Sequence, residues 1–177
     1  MTTPAVVGKV EDRPKIPKSL QVQILRRDRW LCHWCGRPVI FAPTLKYLEL
    51  FARENGRKES LAYYHKNWQR RYAPLLDYQG AVIDHVQAHS DGGKSDEQNL
   101  VAACNKCNAL KSNAKVQVFQ ASQHRHTVKG KYGEPEHWDG LSTLFMILIE
   151  GNLRMATSTE RDWLGALKGN VRAATHI

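Results

Sequence analysis

The hydrophobic positions of this chain fall into short runs separated by clear punctuation. Residues 1–18 hold several prolines together with Lys9, Arg13, Lys15 and Lys18, and are expected to form a basic, flexible arm. Ser19 is placed to cap a helix from Leu20 to about Arg29, with Leu20, Val22 and Ile24 inward and Arg26, Arg27 and Arg29 toward solvent or phosphate. From Thr44 to Tyr72 there is no proline, and Leu45, Leu48, Phe51, Leu61, Tyr64 and Trp68 recur near helical spacing. Asn55-Gly56 divides that stretch into two helices, whose outer face carries Arg53, Arg57, Lys58, Lys66, Arg70 and Arg71.

The period then changes. Ala81-Val82-Ile83 is a short β-prone run ending in Asp84-His85, and Ser90 to Asp96 is a loop by composition. Leu100 to Ala103 reads as a second strand, followed by a helix from Cys104 to about Asn113. Residues 114–137 are polar and irregular, and His124, His126 and His137 there read as loop histidines. Two C-terminal helices follow. One spans Leu141–Glu150 and stops at Gly151; the other is capped near Thr159, with Asp162 three residues on, and ends at Gly169. The pattern is α+β: a core over residues 19–113 with a helical insertion at about 44–73, then a helical extension over 114–177.

Composition narrows the class. A hydrophobic share of 42% and an aromatic share of 8% suit a folded chain rather than a disordered one. The longest apolar run, Leu144–Ile149, is far below the roughly 18 residues a membrane span needs. The N-terminal residues lack the apolar stretch of a secretory signal, so a cytoplasmic location is expected. Lys and Arg number 26 against 17 Asp and Glu, a formal charge of +9 that favours a polyanionic partner.

The four cysteines form two matched pairs, Cys32-His-Trp-Cys35 and Cys104-Asn-Lys-Cys107. Each C-x-x-C sets two thiolates on one tight turn, and two such turns close a tetrahedral zinc site. Two disulfides would need an oxidising compartment, and a thioredoxin-like pair would not occur twice without a βαβ pattern. Structural zinc is therefore expected on Cys32, Cys35, Cys104 and Cys107. The 68 residues between the pairs exceed a simple zinc ribbon, so the knuckles frame something larger.

Asp84-His85-Val86, Gly92-Gly93, Asn99-Leu100 and Cys104-Asn-Lys-Cys107-Asn108 occur in an order that resembles the HNH endonuclease family, over about residues 30–112. The resemblance implies a ββα-metal core and a metal-dependent DNA endonuclease. It implies His85 as general base, Asp84 and Asn108 as ligands of a single divalent ion, and Asn99 as support for the loop and the imidazole. The expected products carry 5′-phosphate and 3′-hydroxyl ends. Asn108 stands where many members have histidine, which favours Mg²⁺ or Mn²⁺ over zinc as the catalytic ion. Where the family often has proline three residues after the histidine, this chain has Ala88. Lys111 matches a frequent basic position and is expected to meet phosphate. His89 is a candidate DNA contact or a solvent-facing loop residue, and His33 and Trp34 are expected to cover the zinc without a catalytic role.

The residues point the same way on chemical grounds. A phosphodiester repels nucleophiles and has a poor leaving group, so its hydrolysis needs a base for water and a cation for developing charge. The rival from another class is a zinc-stabilised nucleic-acid-binding module without turnover. An RNA-binding zinc protein is disfavoured, because no aromatic stacking motif accompanies the basic residues. Arg70 and Arg71 are expected on the DNA backbone or on an ordinary solvated helix face. The apolar Leu141–Ile149 segment is expected to pack on the core or to form a homodimer contact.

Overall fold

The computed structural model describes residues 15–57, 74–112, 114–116, 119 and 137–174. Most of the basic arm, the second inserted helix with Arg70 and Arg71, and His124 and His126 lie outside the described residues. The elements run α1 (Lys18–Arg27), α2 (Ala42–Glu54), α3 (Pro74–Gln79), β1 (Ala81–His85), β2 (Leu100–Cys104), α4 (Asn105–Lys111), α5 (Ser142–Gly151) and α6 (Ser158–Ala174). A single 3₁₀ turn, His89–Asp91, interrupts the loop between the strands.

α1 buries Val22, Ile24 and Leu25, close to the face its apolar spacing predicts. Its start differs from expectation: Pro17 stands at the N-cap position, where its side chain makes no cap bond, and Ser19 lies inside the first turn. It ends at Arg27 because Arg29 and Trp30 both take left-handed backbone angles, with φ of 54° and 55°. Nor do its arginines simply face outward. Arg26 donates to the carbonyl of Leu167 in α6, and Arg27 donates to the carbonyls of Glu97 and Leu100. They tie α1 to α6 and to the start of β2.

β1 and β2 pair antiparallel, with Ala81 opposite Cys104, Asp84 opposite Val101 and His85 opposite Leu100. Every residue of β2 is buried. That explains a continuous apolar run where a half-exposed strand would alternate. The outer edge of β2 is covered rather than left open: Ala102 N donates to Asp28 Oδ2 at 2.7 Å, and its carbonyl accepts from His33 N at 2.8 Å. On the other side Ile40 joins Gly80 in a short parallel bridge.

One hydrophobic core joins Val22 and Leu25 of α1, Phe41, Val101 to Cys104 of β2, Phe145 and Ile149 of α5, and Leu164 and Leu167 of α6. Phe41 is its centre, meeting Trp30, Phe145 and Trp163 edge-on at 5.2–5.8 Å between ring centroids. The apolar α5 segment therefore packs on the core of its own chain, leaving Ile147 exposed. α6 begins two residues earlier than expected. Thr157 N and the Thr157 hydroxyl both donate to the Glu160 carboxylate, so the cap lies at Thr157/Glu160 rather than Thr159/Asp162. α6 also runs through Gly169 to Ala174, since a glycine inside a packed helix lowers its stability without ending it.

Entry into α5 depends on Asp139 and Gly140. Gly140 has φ +67°, and a Cβ there would lie 2.2 Å from the Trp30 ring, so only glycine fits. Asp139 then accepts from Leu141 N at 2.9 Å, Thr143 N at 2.8 Å and the Ser142 hydroxyl at 3.4 Å. Burial works against the ionised carboxyl, but these hydrogen bonds outweigh it and hold its pKa below the ordinary value. Asp139→Ala should lower stability at neutral pH by about 0.5–2 kcal/mol, the usual cost of a lost helix cap, as read from urea melts of both proteins.

Candidate active site and cysteine cluster

The two C-x-x-C turns meet where β2 becomes α4. In the first, Gly36 takes φ +70° and its N–H donates to Cys32 O, closing the turn expected of that glycine. In the second, Cys104 caps α4, its sulfur accepting from Cys107 N at 3.4 Å. All four thiols are free and buried, and their sulfurs lie within 4.8 Å of one another. Cys35 Sγ and Cys104 Sγ are 4.0 Å apart, close to the spacing of about 3.8 Å that a tetrahedral ion with Zn–S bonds of about 2.3 Å requires. The cluster is consistent with structural zinc. The four thiols share hydrogen bonds, which lower Cys104 to about 7 and lower Cys35 while raising Cys32 and Cys107.

Beside this cluster the end of β1 and one face of α4 enclose a cavity of about 280 Å³, lined by Asp84, His85, His89, Asn108 and Lys111 among others. Neighbours on a strand point to opposite sides, yet Asp84 and His85 both reach this space because it wraps the end of the hairpin. Both are buried. His85 Nε2 shares a hydrogen bond of 2.9 Å with the Ser95 hydroxyl, and His89 stands edge-on to the His85 ring at 6.5 Å. Asp84 and Asn108 present oxygen donors of the kind a hard divalent cation takes.

The Asp84 carboxylate is gripped from two directions. Trp34 Nε1 donates to Oδ2 at 2.8 Å, and Lys111 Nζ lies 3.3 Å from Oδ1. Lys111 also donates to the carbonyl of His85 at 2.6 Å and sits 5.4 Å from the centroid of the Trp34 ring. With 1% of its side chain exposed, Lys111 places its ammonium on Asp84 inside the site rather than on an outer, phosphate-facing helix surface. A buried ammonium is expensive unless paired, and the carboxylate, the carbonyl and the ring face supply its partners.

Asn99 works as a clasp on the loop between the strands. Its side chain accepts from Gln87 N at 2.8 Å and donates to Gln87 O at 3.1 Å and Lys94 O at 2.8 Å. Its carbonyl accepts from Val86 N at 2.8 Å, next to His85. Gly93 lies under this clasp, where a Cβ would come within 2.0 Å of Gln87 O. Ala88 has φ −59° and ψ 144°, the angles proline would impose, so the strand end keeps a proline-like path without the ring.

The chain's own comparison with protein families agrees with this geometry. Residues 73–114 match the HNH endonuclease family. No curated protein and no solved structure matches the chain. The HNH match covers α3, both strands and α4, and stops short of Cys32 and Cys35. The HNH domain of this chain is thus a ββα unit whose cysteine cluster is completed by a turn from outside the match.

Three features of the HNH site escape the sequence. Trp34 was expected to cover zinc, but its indole reaches Asp84; Ser95 and the inward turn of Lys111 carry no spacing signature. The available signal was chemical: a tryptophan held beside a buried cluster needs a partner for its N–H. Arg70 and Arg71, expected on DNA, lie outside the described residues. Among those residues, no helix is long and apolar enough to cross a membrane.

Zinc closure joins turns far apart in sequence, so metal binding and folding should be linked. Purified protein should hold one zinc per chain by elemental analysis. Cys104→Ser should lose both the metal and cooperative melting. A metal-free protein with unchanged melting would refute the assignment.

Proposed function

We propose that this chain is a metal-dependent DNA endonuclease that cuts phosphodiester bonds to 5′-phosphate and 3′-hydroxyl ends. What carries the proposal is the convergence of Asp84, His85 and Asn108 on one cavity within the segment that matches the HNH family. A module that only bound nucleic acid would have no need of that trio.

In this reading His85 acts as the general base. Its position beside the cavity lets the imidazole take the proton of a water directed at phosphorus, and the Ser95 hydroxyl holds the ring by Nε2 until substrate enters. Asp84 and Asn108 would hold a single Mg²⁺ or Mn²⁺, which would supply neutralisation of the charge that develops during hydrolysis. Asn99 keeps the loop closed against the strand end that carries His85. His89 borders the same cavity and in this reading meets the phosphate, while Lys111 stays on Asp84 and Arg70 and Arg71 add backbone contacts.

Supercoiled plasmid should be cleaved only with Mg²⁺ or Mn²⁺ present. His85→Ala should lower the rate by about 10²–10⁴-fold, the contribution of a general base, with DNA binding retained in a filter or gel-shift assay. Undiminished cleavage by that variant would remove His85 from its role. DNA binding by the wild type with no cleavage under either metal would establish the non-catalytic module instead.

Backbone binding also makes a salt prediction. Each phosphate neutralised adds about 0.9 to the slope of log K against log salt on duplex DNA. Arg70→Ala with Arg71→Ala should reduce that slope and weaken binding alike on unrelated sequences. An unchanged slope would make those arginines a solvated helix face.

A further inference from the structure

We propose that Trp34 is a positioning residue for Asp84, through which the first cysteine turn sets the metal-binding carboxylate. This inference rests on Asp84 being a ligand of the divalent ion.

Trp34 lies between His33 and Cys35, so its backbone is fixed by the same turn that presents two sulfurs to the cluster. Its ring is 4% exposed and packs edge-on against Phe119 at 5.3 Å and His33 at 4.8 Å. A ring held on these sides gives its N–H one direction, and that direction ends on Asp84 Oδ2 at 2.8 Å. The first cysteine turn is held against the hairpin by the sulfur cluster and by the bond from His33 N to Ala102 O, and this brings residue 34 to residue 84.

The consequence follows from competition for the carboxylate. Ionised, it offers about four lone-pair sites; Trp34 takes one on Oδ2 and Lys111 takes one on Oδ1. The two donors come from different elements, the first cysteine turn and α4, and hold the group between them. Remove the indole N–H, and Lys111 is left as the single strong partner. The carboxylate then turns to give the ammonium both oxygens, and the lone pairs that faced the cavity are spent on the ion pair. Trp34 thus keeps Asp84 open to a cation while Lys111 anchors its other oxygen.

Trp34→Phe retains the ring and deletes the donor. Mn²⁺ binding to the zinc-loaded protein, read by electron paramagnetic resonance without DNA, should weaken by about 10–100-fold, the usual effect of losing a ligand's hydrogen-bond partner. Zinc content should stay at one per chain. In plasmid cleavage the half-saturating Mn²⁺ concentration should rise by the same factor, with the rate at saturation largely recovered. Unchanged Mn²⁺ affinity in a folded, zinc-loaded variant would overturn the inference, as would absence of any Mn²⁺ site beyond the cysteine cluster in the wild type. Should the variant fail to fold, indole ¹⁵N spectra of the wild type decide. One of the five tryptophan N–H signals should shift on Mg²⁺ addition, and Asp84→Asn should displace that same signal. If no indole responds, the inference is overturned. Cleavage lost in His85→Ala with Mn²⁺ affinity unaltered in Trp34→Phe would separate the two ideas, leaving the nuclease reading standing and this one refuted.

Discussion

Cys104 is the residue on which the rest of the structure turns. It is at once the last residue of β2, the cap of α4 and one corner of the sulfur cluster. A strand that must end where a helix must begin has no freedom in direction, and a bond from that point to the first cysteine turn removes what remains. The hairpin itself is two strands of five residues, too little to be stable alone in water. Its support comes from the cluster on one side and from α1, α5 and α6 through the shared core on the other. The ββα unit is small because its framework lies elsewhere in the chain.

That framework explains how a buried charge is tolerated at the site. Asp84 and Lys111 are both buried, and burying a charge without a partner is costly. Pairing offsets part of the desolvation, and the Trp34 N–H and the His85 carbonyl take up further hydrogen-bonding capacity. The same contacts orient the group that the proposed chemistry needs. Stability and function are therefore drawn from one set of bonds, and substitutions there should move both.

The fold was largely readable because its signals are local. Cysteine spacing announced the cluster, β-prone runs announced both strands, and Gly36 and Asn55-Gly56 marked turns that the backbone adopts. Boundaries were less legible. The N-cap of α1 falls at Pro17 rather than Ser19, and the cap of α6 at Thr157 rather than Thr159, where Glu160 is in reach of the Thr157 N–H. The site was readable as a set of residue types but not as a set of contacts. Trp34 on Asp84, Lys111 turned inward and Ser95 on His85 join positions 50, 27 and 10 residues apart, and no periodicity encodes such pairs. Arg26 and Arg27 were legible as residues facing solvent or phosphate, and Arg27 is exposed, but their bonds to carbonyls of the same chain were not legible.

The central claim is hydrolysis at phosphorus with departure of the 3′ oxygen, and the chemistry of the cut ends tests it most directly. Nicked or linear DNA made by the protein with Mg²⁺ or Mn²⁺ should be sealed by ligase without prior kinase treatment, since 5′-phosphate and 3′-hydroxyl ends are its substrates. Ends that seal only after a 3′-phosphate is removed or a 5′-phosphate is added would contradict the account.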